Sequence, residues 1–387
     1  MLLESEIKTL KEEIEKGVKD PRREWGNKRH RLEEIIIIAL CSTLSCGEDF
    51  DDMEEFGKDR EPWLRGFLEL ANGIPHGDTF RRVLERIESA ALSGALNAWL
   101  EDVRGREGGR SINIDGKTMR GSGRGGGAAR HVVSAWVDEK GVTLGEVAVE
   151  EKGNEIAAMA ELLDMFDIRG DVVTIDAMGC QSAMAGKIHA KGGDYVLALK
   201  DNQATLHGEV ASYFDWLERG TPCGEDSEKW PGESEKGHGR IERREVTVAS
   251  AHWLAADERK RWPGLRTLVR CRRLGERGGK ATESVRHFIS SCPMDAKAMA
   301  ALVRGHWAIE NGLHWTLDVV FGEDSAQASK GNSPLNMNVL RKTALSLLKP
   351  AVTPTRLSLR KKMMKAARDT AFLSALLNNS WPPLSKK

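Results

Sequence analysis

The chain has 387 residues, 40% hydrophobic and 30% charged, with 58 Lys and Arg balancing 58 Asp and Glu. That composition excludes a disordered or membrane-spanning chain and fits two or three modules with sizeable cores. Zero net charge gives no long-range pull on nucleic acid, but the charge is uneven: GEDFDDMEE at 47–55 is acidic, whereas from Asn336 to Lys387 the only acid is Asp369.

The longest apolar run, EIIIIALC at 34–41, is too short to span a bilayer, and no signal-peptide pattern opens the chain. The six cysteines are scattered and form no C-x-x-C pair, which indicates neither a disulfide framework nor a zinc ribbon. A soluble protein of the reducing cytoplasm is expected.

Residues 1–104 read as a helical domain. RLEEIIIIALCSTL is a buried helix, DDMEEFGKDREPWLRGFLEL continues in helical period, and GIPHGDTFRRVLERI starts another helix after a turn. There Asp78 is the expected N-cap, Phe80, Val83, Leu84 and Ile87 share a face, and Arg81, Arg82 and Arg86 fall mostly elsewhere. Such a helix fits a helix-turn-helix recognition element, although a solvated bundle face is the plainer reading.

After Gly105 to Gly109 strands take over. SINID, HVVSAWVDE, VTLGEVAVEE, DVVTID and DYVLALK alternate or run apolar, with the helix NEIAAMAELLDMF between the third and fourth. Three strands, a crossover helix and further strands predict an α/β core with a mixed sheet, over 105–205 and 295–350. Between them, 206–294 carries short strands such as IERREVTV, LRTLVRC and VRHFISS and reads as a β-rich insertion. Residues 351–387 form a basic helical tail. The glycine cluster GSGRGGGAA reads as a mobile loop rather than a phosphate-binding one, because no helix clearly follows it.

Two strands end alike. INIDG runs into Asp115 and then Gly116, and VVTIDA runs into Asp176 and then Ala177. One such acid alone reads as a turn cap. Two of them, at the carboxyl ends where α/β sheets place their sites, suggest a pair of carboxylates that needs a cation. Hard Mg²⁺, with Mn²⁺ as a substitute, suits all-oxygen ligands and leaves positions open for phosphate oxygens. Small residues after each acid let a substrate approach, and Lys117 and Arg120 stand ready to neutralise phosphate.

A two-metal phosphoryl-transfer site usually has a third carboxylate. In VRGHWAIENGLHWTLDVVFGEDSAQ, read as one helix, Leu302, Ile309, Leu313 and Val320 form the buried stripe and Glu310 lies at its edge. Asp318, Glu323 and Asp324 are the competing acids. His306, Glu310 and His314 could alternatively hold zinc, but no H-E-x-x-H arrangement is present. Trp307 and Trp315 read as packing residues, with base stacking or a wedge in DNA as the alternative.

INIDGKTMRGS, EKGNEIAAMAELLD, VVTIDAMGCQ, GGDYVLALKDNQ, GHGRIERREV, RGHWAIENGLHWTLDVVFGED and NMNVLRKTALSLLK together resemble the H-repeat-associated, insertion-sequence group of DDE transposases. The helical region before them is similar to the domain that accompanies that group. The resemblance implies a ribonuclease-H-like core that cuts double-stranded DNA at the terminal inverted repeats of a mobile element. It also implies joining of the ends to target DNA by metal-dependent phosphoryl transfer, without a covalent protein intermediate.

On that pattern Asp115, Asp176 and Glu310 are the catalytic, metal-holding acids. Lys117, Arg120, Lys200, Gln203, Arg304, His306, Trp307, Asn311, His314 and Arg341 are the expected DNA contacts, with the basic tail RLSLRKKMMKAAR. The tyrosine-arginine-glutamate-lysine signature of other insertion-sequence transposases is not reproduced: His306 stands at the arginine position and Leu317 at the lysine position. Synapsis of two ends implies a homodimer. The alternatives are a metal-dependent nuclease that joins no strands and an inactive DNA-binding relative. A tyrosine recombinase is disfavoured, since the only tyrosines are Tyr195 and Tyr213.

Overall fold

The computed structural model describes residues 2–23, 28–104, 109–124, 127–137, 141–149, 154–219, 226–237, 240–277 and 280–378. The chain divides into two compact units. One comprises Gly108–Asp115 and Gly153–Ile309, the other Met1–Glu107, Gly116–Lys152 and Glu310–Lys387. No helix among the described residues is long and apolar enough to cross a membrane.

The strands are β1 (Ser111–Met119), β2 (Arg130–Val137), β3 (Val142–Val149), β4 (Val172–Ile175), β5 (Asp194–Leu199), β6 (Ser227–Trp230), β7 (Ser234–Gly237), β8 (Arg240–Ser250), β9 (Thr267–Arg277) and β10 (Lys280–Ser290). β1 passes from one unit to the other. In the first unit the order is β1-β4-β5-β10-β9-β8-β6, with β7 also on β8. β1, β4 and β5 are parallel, and β10 turns the sheet antiparallel. Parallel neighbours need crossovers, and the helices Glu155–Asp164 and Ser182–Ala190 lie in the connections before and after β4.

The strands of 206–294 do not form a separate sheet. β10 pairs with β5 through Ser290↔Val196 to His287↔Leu199, so the stretch expected as an insertion extends the core sheet edge to edge. The helix Ala296–His306 covers the face they share, burying Val196, Val246, Val248, Val269, Cys271 and Phe288 against Met299 and Val303. This is a mixed α/β fold, and the order β3-β2-β1-β4-β5 is the ribonuclease-H-like one.

The second unit is mainly helical. At its centre lie the helices Leu32–Leu44 and Ser333–Leu348, in which every residue is buried. The isoleucine run explains the first. The second carries polar side chains inward: Asn336 donates to the Leu84 and Ile87 carbonyls at 2.7 and 2.9 Å, and Lys342 donates to Ser134 at 2.7 Å and to Glu146.

The helix Gly77–Leu84 buries Phe80, Val83 and Leu84, with Ile87 just beyond it, as its periodicity predicts. Its N-cap is His76, whose ring accepts from the Asp78 amide at 3.2 Å, while Asp78 pairs with Arg81 at 2.5 Å. The region 51–70 is not one helix: Phe50–Asp59 stops at Arg60, and Pro62 opens the short helix Glu61–Leu64. The tail folds as helices Leu359–Arg368 and Thr370–Leu377, which bury Met363, Ala366, Phe372, Leu373, Leu376 and Leu377. Its last expected residues, 379–387, lie outside the described residues, as do Gly125 and Gly126 of the glycine cluster.

Candidate active site

The parallel register of β1 and β4 runs Ser111↔Val172, Ile112↔Val173, Asn113↔Thr174 and Ile114↔Ile175. Asp115 is the next residue of β1, and Asp176 is the first residue past β4. Equivalent positions on parallel neighbours lie about 5 Å apart and point to the same face. The two acids therefore directly follow the last paired residues of β1 and β4, both part-exposed; β1 does not end on Asp115 as expected but runs on to Met119, its pairing with β4 stopping at Ile114. The register is locked at the other end, where Arg110 binds Asp171 through its amide at 2.9 Å and its guanidinium at 2.6 and 3.1 Å.

The loop after β4 is built around Asp176. Its Oδ1 accepts from the amides of Met178 at 3.1 Å and Gly179 at 3.3 Å. The Gly179 backbone lies so close to the core that a Cβ there would meet Ile175 Cγ2 at 2.3 Å and Met159 Sδ at 2.8 Å. From the end of β5, Asn202 donates to the Ala177 carbonyl and Gln203 to the Cys180 carbonyl at 3.0 Å. Gln203, expected to touch DNA, is buried and strapped to this loop, whereas Lys200 is exposed at the tip of β5.

Beneath the acids lies a buried polar chain. The Thr174 hydroxyl donates to Asn113 Oδ1 at 2.7 Å and is 3.0 Å from His306 Nδ1. His306 is 7% exposed, so the DNA contact expected of it is not available from this position. Burial pushes its imidazole down to about 4, against the pull of nearby Asp176. Its neighbour Trp307 is covered by the Arg286 guanidinium, 3.9 Å from the ring centroid, which fits the packing role. Arg304 is exposed on the last turn of the same helix.

The segment expected to be one long helix is broken. Ala296–His306 ends at Trp307, Glu310–His314 is a π-helical turn, and Trp315–Val319 is a short helix. Such turns interrupt α-helices frequently at functional sites. In the helical unit, Glu310 and Asn311 are exposed on this turn, and Arg120 is exposed on the turn after β1. Burial pushes the His314 imidazole down to about 3, which keeps it neutral. Among the described residues no group of three or more His, Cys, Asp or Glu side chains is placed together to hold a metal ion.

Lys117 is not poised for phosphate. Its ammonium lies 2.7 Å from Asp318 and 2.6 Å from Glu323, with its side chain 10% exposed. Glu323 also accepts from Asn338. Burial works to raise the Glu323 carboxyl, but Lys117 and Arg341 outweigh it and hold it below the usual range. Arg341, another expected DNA contact, is 3% exposed within the same cluster. Two cations therefore balance two anions inside the helical unit, a set that no local pattern announced.

Asp318 and Glu323, weighed as third carboxylates, are instead the partners of Lys117. The residues not anticipated are Asn113, Thr174 and Asn202. Their signal was partly present: INID and VTID each carry one polar residue two positions before the acid, on the face the acids share.

Residues 107–347 match the family described as the transposase DDE domain, and residues 15–100 match its associated region. "H repeat-associated putative transposase YhhI" of Escherichia coli strain K12 is 36% identical over 97% of this chain and 99% of its own length. "Putative transposase YncI" of Escherichia coli O157:H7 is 36% identical over 92% of this chain and 91% of its own. The piggyBac transposase synaptic complex with hairpin DNA is similar at 11% identity and a TM-score of 0.40, over 99% of this chain and 80% of that one. Between the family match across the strand-end acids and the full-length likeness to H-repeat relatives, the chain belongs to the DDE transposases.

Proposed function

We propose that the protein cuts DNA at the ends of an insertion sequence and joins the freed 3′-hydroxyls to target DNA. Asp115 and Asp176 would hold a divalent ion, and Glu310 would be the third carboxylate. The observation that carries this reading is the parallel register of β1 and β4, whose last pair, Ile114↔Ile175, is followed on each side by an aspartate.

The residues fit Mg²⁺ or Mn²⁺ on their chemistry. DDE transposases use divalent ions, and the donors here are hard carboxylate oxygens. Two anions side by side repel unless a cation joins them. Among the described residues no Lys or Arg forms an ion pair with Asp176, and the carboxyl end of the Ala296–His306 helix adds partial negative charge nearby. When bound, the ion would supply Lewis-acid stabilisation of charge on the phosphate.

The chain's own groups do the rest. The two loop amides take up Asp176 Oδ1. The straps from Asn202 and Gln203 fix the loop, so the carboxylate does not reorganise when substrate arrives. Exposed Lys200 and Arg120 are cations that phosphates can meet. Asp318 and Glu323 are neutralised by Lys117, which leaves Glu310 the better third acid. Two chains would be needed to hold two DNA ends.

The test is cleavage of a duplex carrying the element's own end, in Mg²⁺ and in Mn²⁺. Asp115→Asn, Asp176→Asn and Glu310→Gln should each abolish cleavage while leaving DNA affinity near that of the parent. Calorimetry should show Mn²⁺ binding weakened in the two Asp variants. Undiminished binding in both would remove the metal from these strands. Cleavage surviving in Glu310→Gln but lost in Asp324→Asn would move the third acid.

A further inference from the structure

We propose that His306 is a positioning residue acting through Nδ1: it closes a buried chain, Asn113–Thr174–His306, that fixes the level of the two acids. The proposal rests on the reading of Asp115 and Asp176 as catalytic.

A threonine hydroxyl has one hydrogen and two lone pairs. The Thr174 hydrogen is committed to Asn113 Oδ1 at 2.7 Å. With the Asn113 amide turned so that Oδ1 accepts, we assign the second partner of the same oxygen, His306 Nδ1 at 3.0 Å, as the donor. Since burial keeps the ring neutral, its single N–H sits on Nδ1 and Nε2 carries a lone pair. Asn113, Thr174 and His306 are 0%, 1% and 7% exposed, so water cannot replace a lost bond.

Placement gives the chain its consequence. Asn113 and Thr174 are register partners on β1 and β4, and Asp115 and Asp176 lie two residues further along the same face. His306 is the last residue of the helix over that face, and the Gly305 backbone approaches Ser111 and Asn113 closely enough that a Cβ would touch both. One hydroxyl thus joins both acid-bearing strands to the helix end. A slip of either strand would break a buried hydrogen bond, and a misplacement of about 1 Å can cost roughly 100-fold in rate.

Two experiments decide the matter. Nitrogen-15 NMR of the full chain, labelled at histidine, should show His306 with its proton on Nδ1; a proton on Nε2 overturns the proposal. In end cleavage, His306→Asn places an amide donor near the Nδ1 position, whereas His306→Gln places it near Nε2. The expectation is that His306→Asn retains most of the rate and His306→Gln loses roughly 10- to 100-fold, with DNA affinity and its salt dependence unchanged.

Thr174→Ser should behave as the parent and the isosteric Thr174→Val as His306→Gln, which keeps the test open if the glutamine variant does not fold. Full rate in His306→Gln with loss in His306→Asn, equal rates throughout, or a lowered salt slope would each overturn the role. If the parent chain itself neither cleaves nor binds Mn²⁺, the proposed function fails, while the tautomer still decides this inference.

Discussion

Two aspartates bracket β4, one residue before it and one after, and the fold treats them differently. Asp171 is 1% exposed and bound by the Arg110 guanidinium and amide. Asp176 is part-exposed, and its carboxylate accepts from two amides of its own loop. The first is an acid satisfied within the fold, a lock between β1 and β4. The second is held in direction but left short of positive charge. What separates an acid that holds a fold together from one that meets a substrate is what stands opposite it.

Exchanging each acid for its amide should separate the two most sharply. Asp176→Asn should abolish metal-dependent cleavage and leave the melting transition within a few degrees of the parent. Asp171→Asn leaves the buried Arg110 cation without its counter-charge, so stability should fall by about 3–5 kcal/mol. Denaturant titration and a cleavage assay on the two variants test this directly. If Asp171→Asn melts with the parent, or Asp176→Asn is the unstable one, the contrast is wrong.

The same contrast explains what could be read from sequence. That Asp115 and Asp176 follow matching apolar runs on two strands was legible because alternation and the small following residue are local, but that β1 runs on past Asp115 to Met119 was not. The roles of Lys117, Gln203, His306 and Arg341 were not. Each carries a polar group of the kind that serves DNA, but its partner lies far along the chain: 201 and 206 residues for Lys117, 132 for His306. Periodicity reports burial of a face, not the pairing of a charge within it. The stretch 206–294 is β-rich as read, but its place in the sheet was not legible, since alternation in β10 says that one face is covered but not that β5 is its neighbour. The unbroken helix around Glu310 failed because apolar spacing cannot register one extra residue in a π-helical turn.

Among cations, Lys117 is the counterpart of Asp171. Its ammonium has two carboxylate partners, one of them, Glu323, almost fully buried. Lys117→Met should destabilise the helical unit by about 3–5 kcal/mol, because Asp318 and Glu323 lose their common partner. Adding Glu323→Gln to that variant removes one stranded anion and should recover part of the loss. A single variant as stable as the parent would show that the buried cluster contributes nothing.

The smallest effect is expected where the comparison is most exposed to error, at Lys200. It stands in solvent one residue beyond β5, on the edge of the sheet unit where β4 ends in Asp176. A cation in that position can meet a phosphate without breaking any internal pair. Its loss should therefore leave the fold unchanged and weaken binding of all DNA sequences alike. Each phosphate contact contributes about 0.9 to the slope of log affinity against log salt concentration. Lys200→Ala should flatten that slope by about one, whereas Lys117→Met, measured at a temperature where it is folded, should leave the slope alone. If instead Lys117→Met flattens the slope and Lys200→Ala does not, the buried pair opens to receive DNA, and the division between locked and open charges must be redrawn around Asp318 and Glu323.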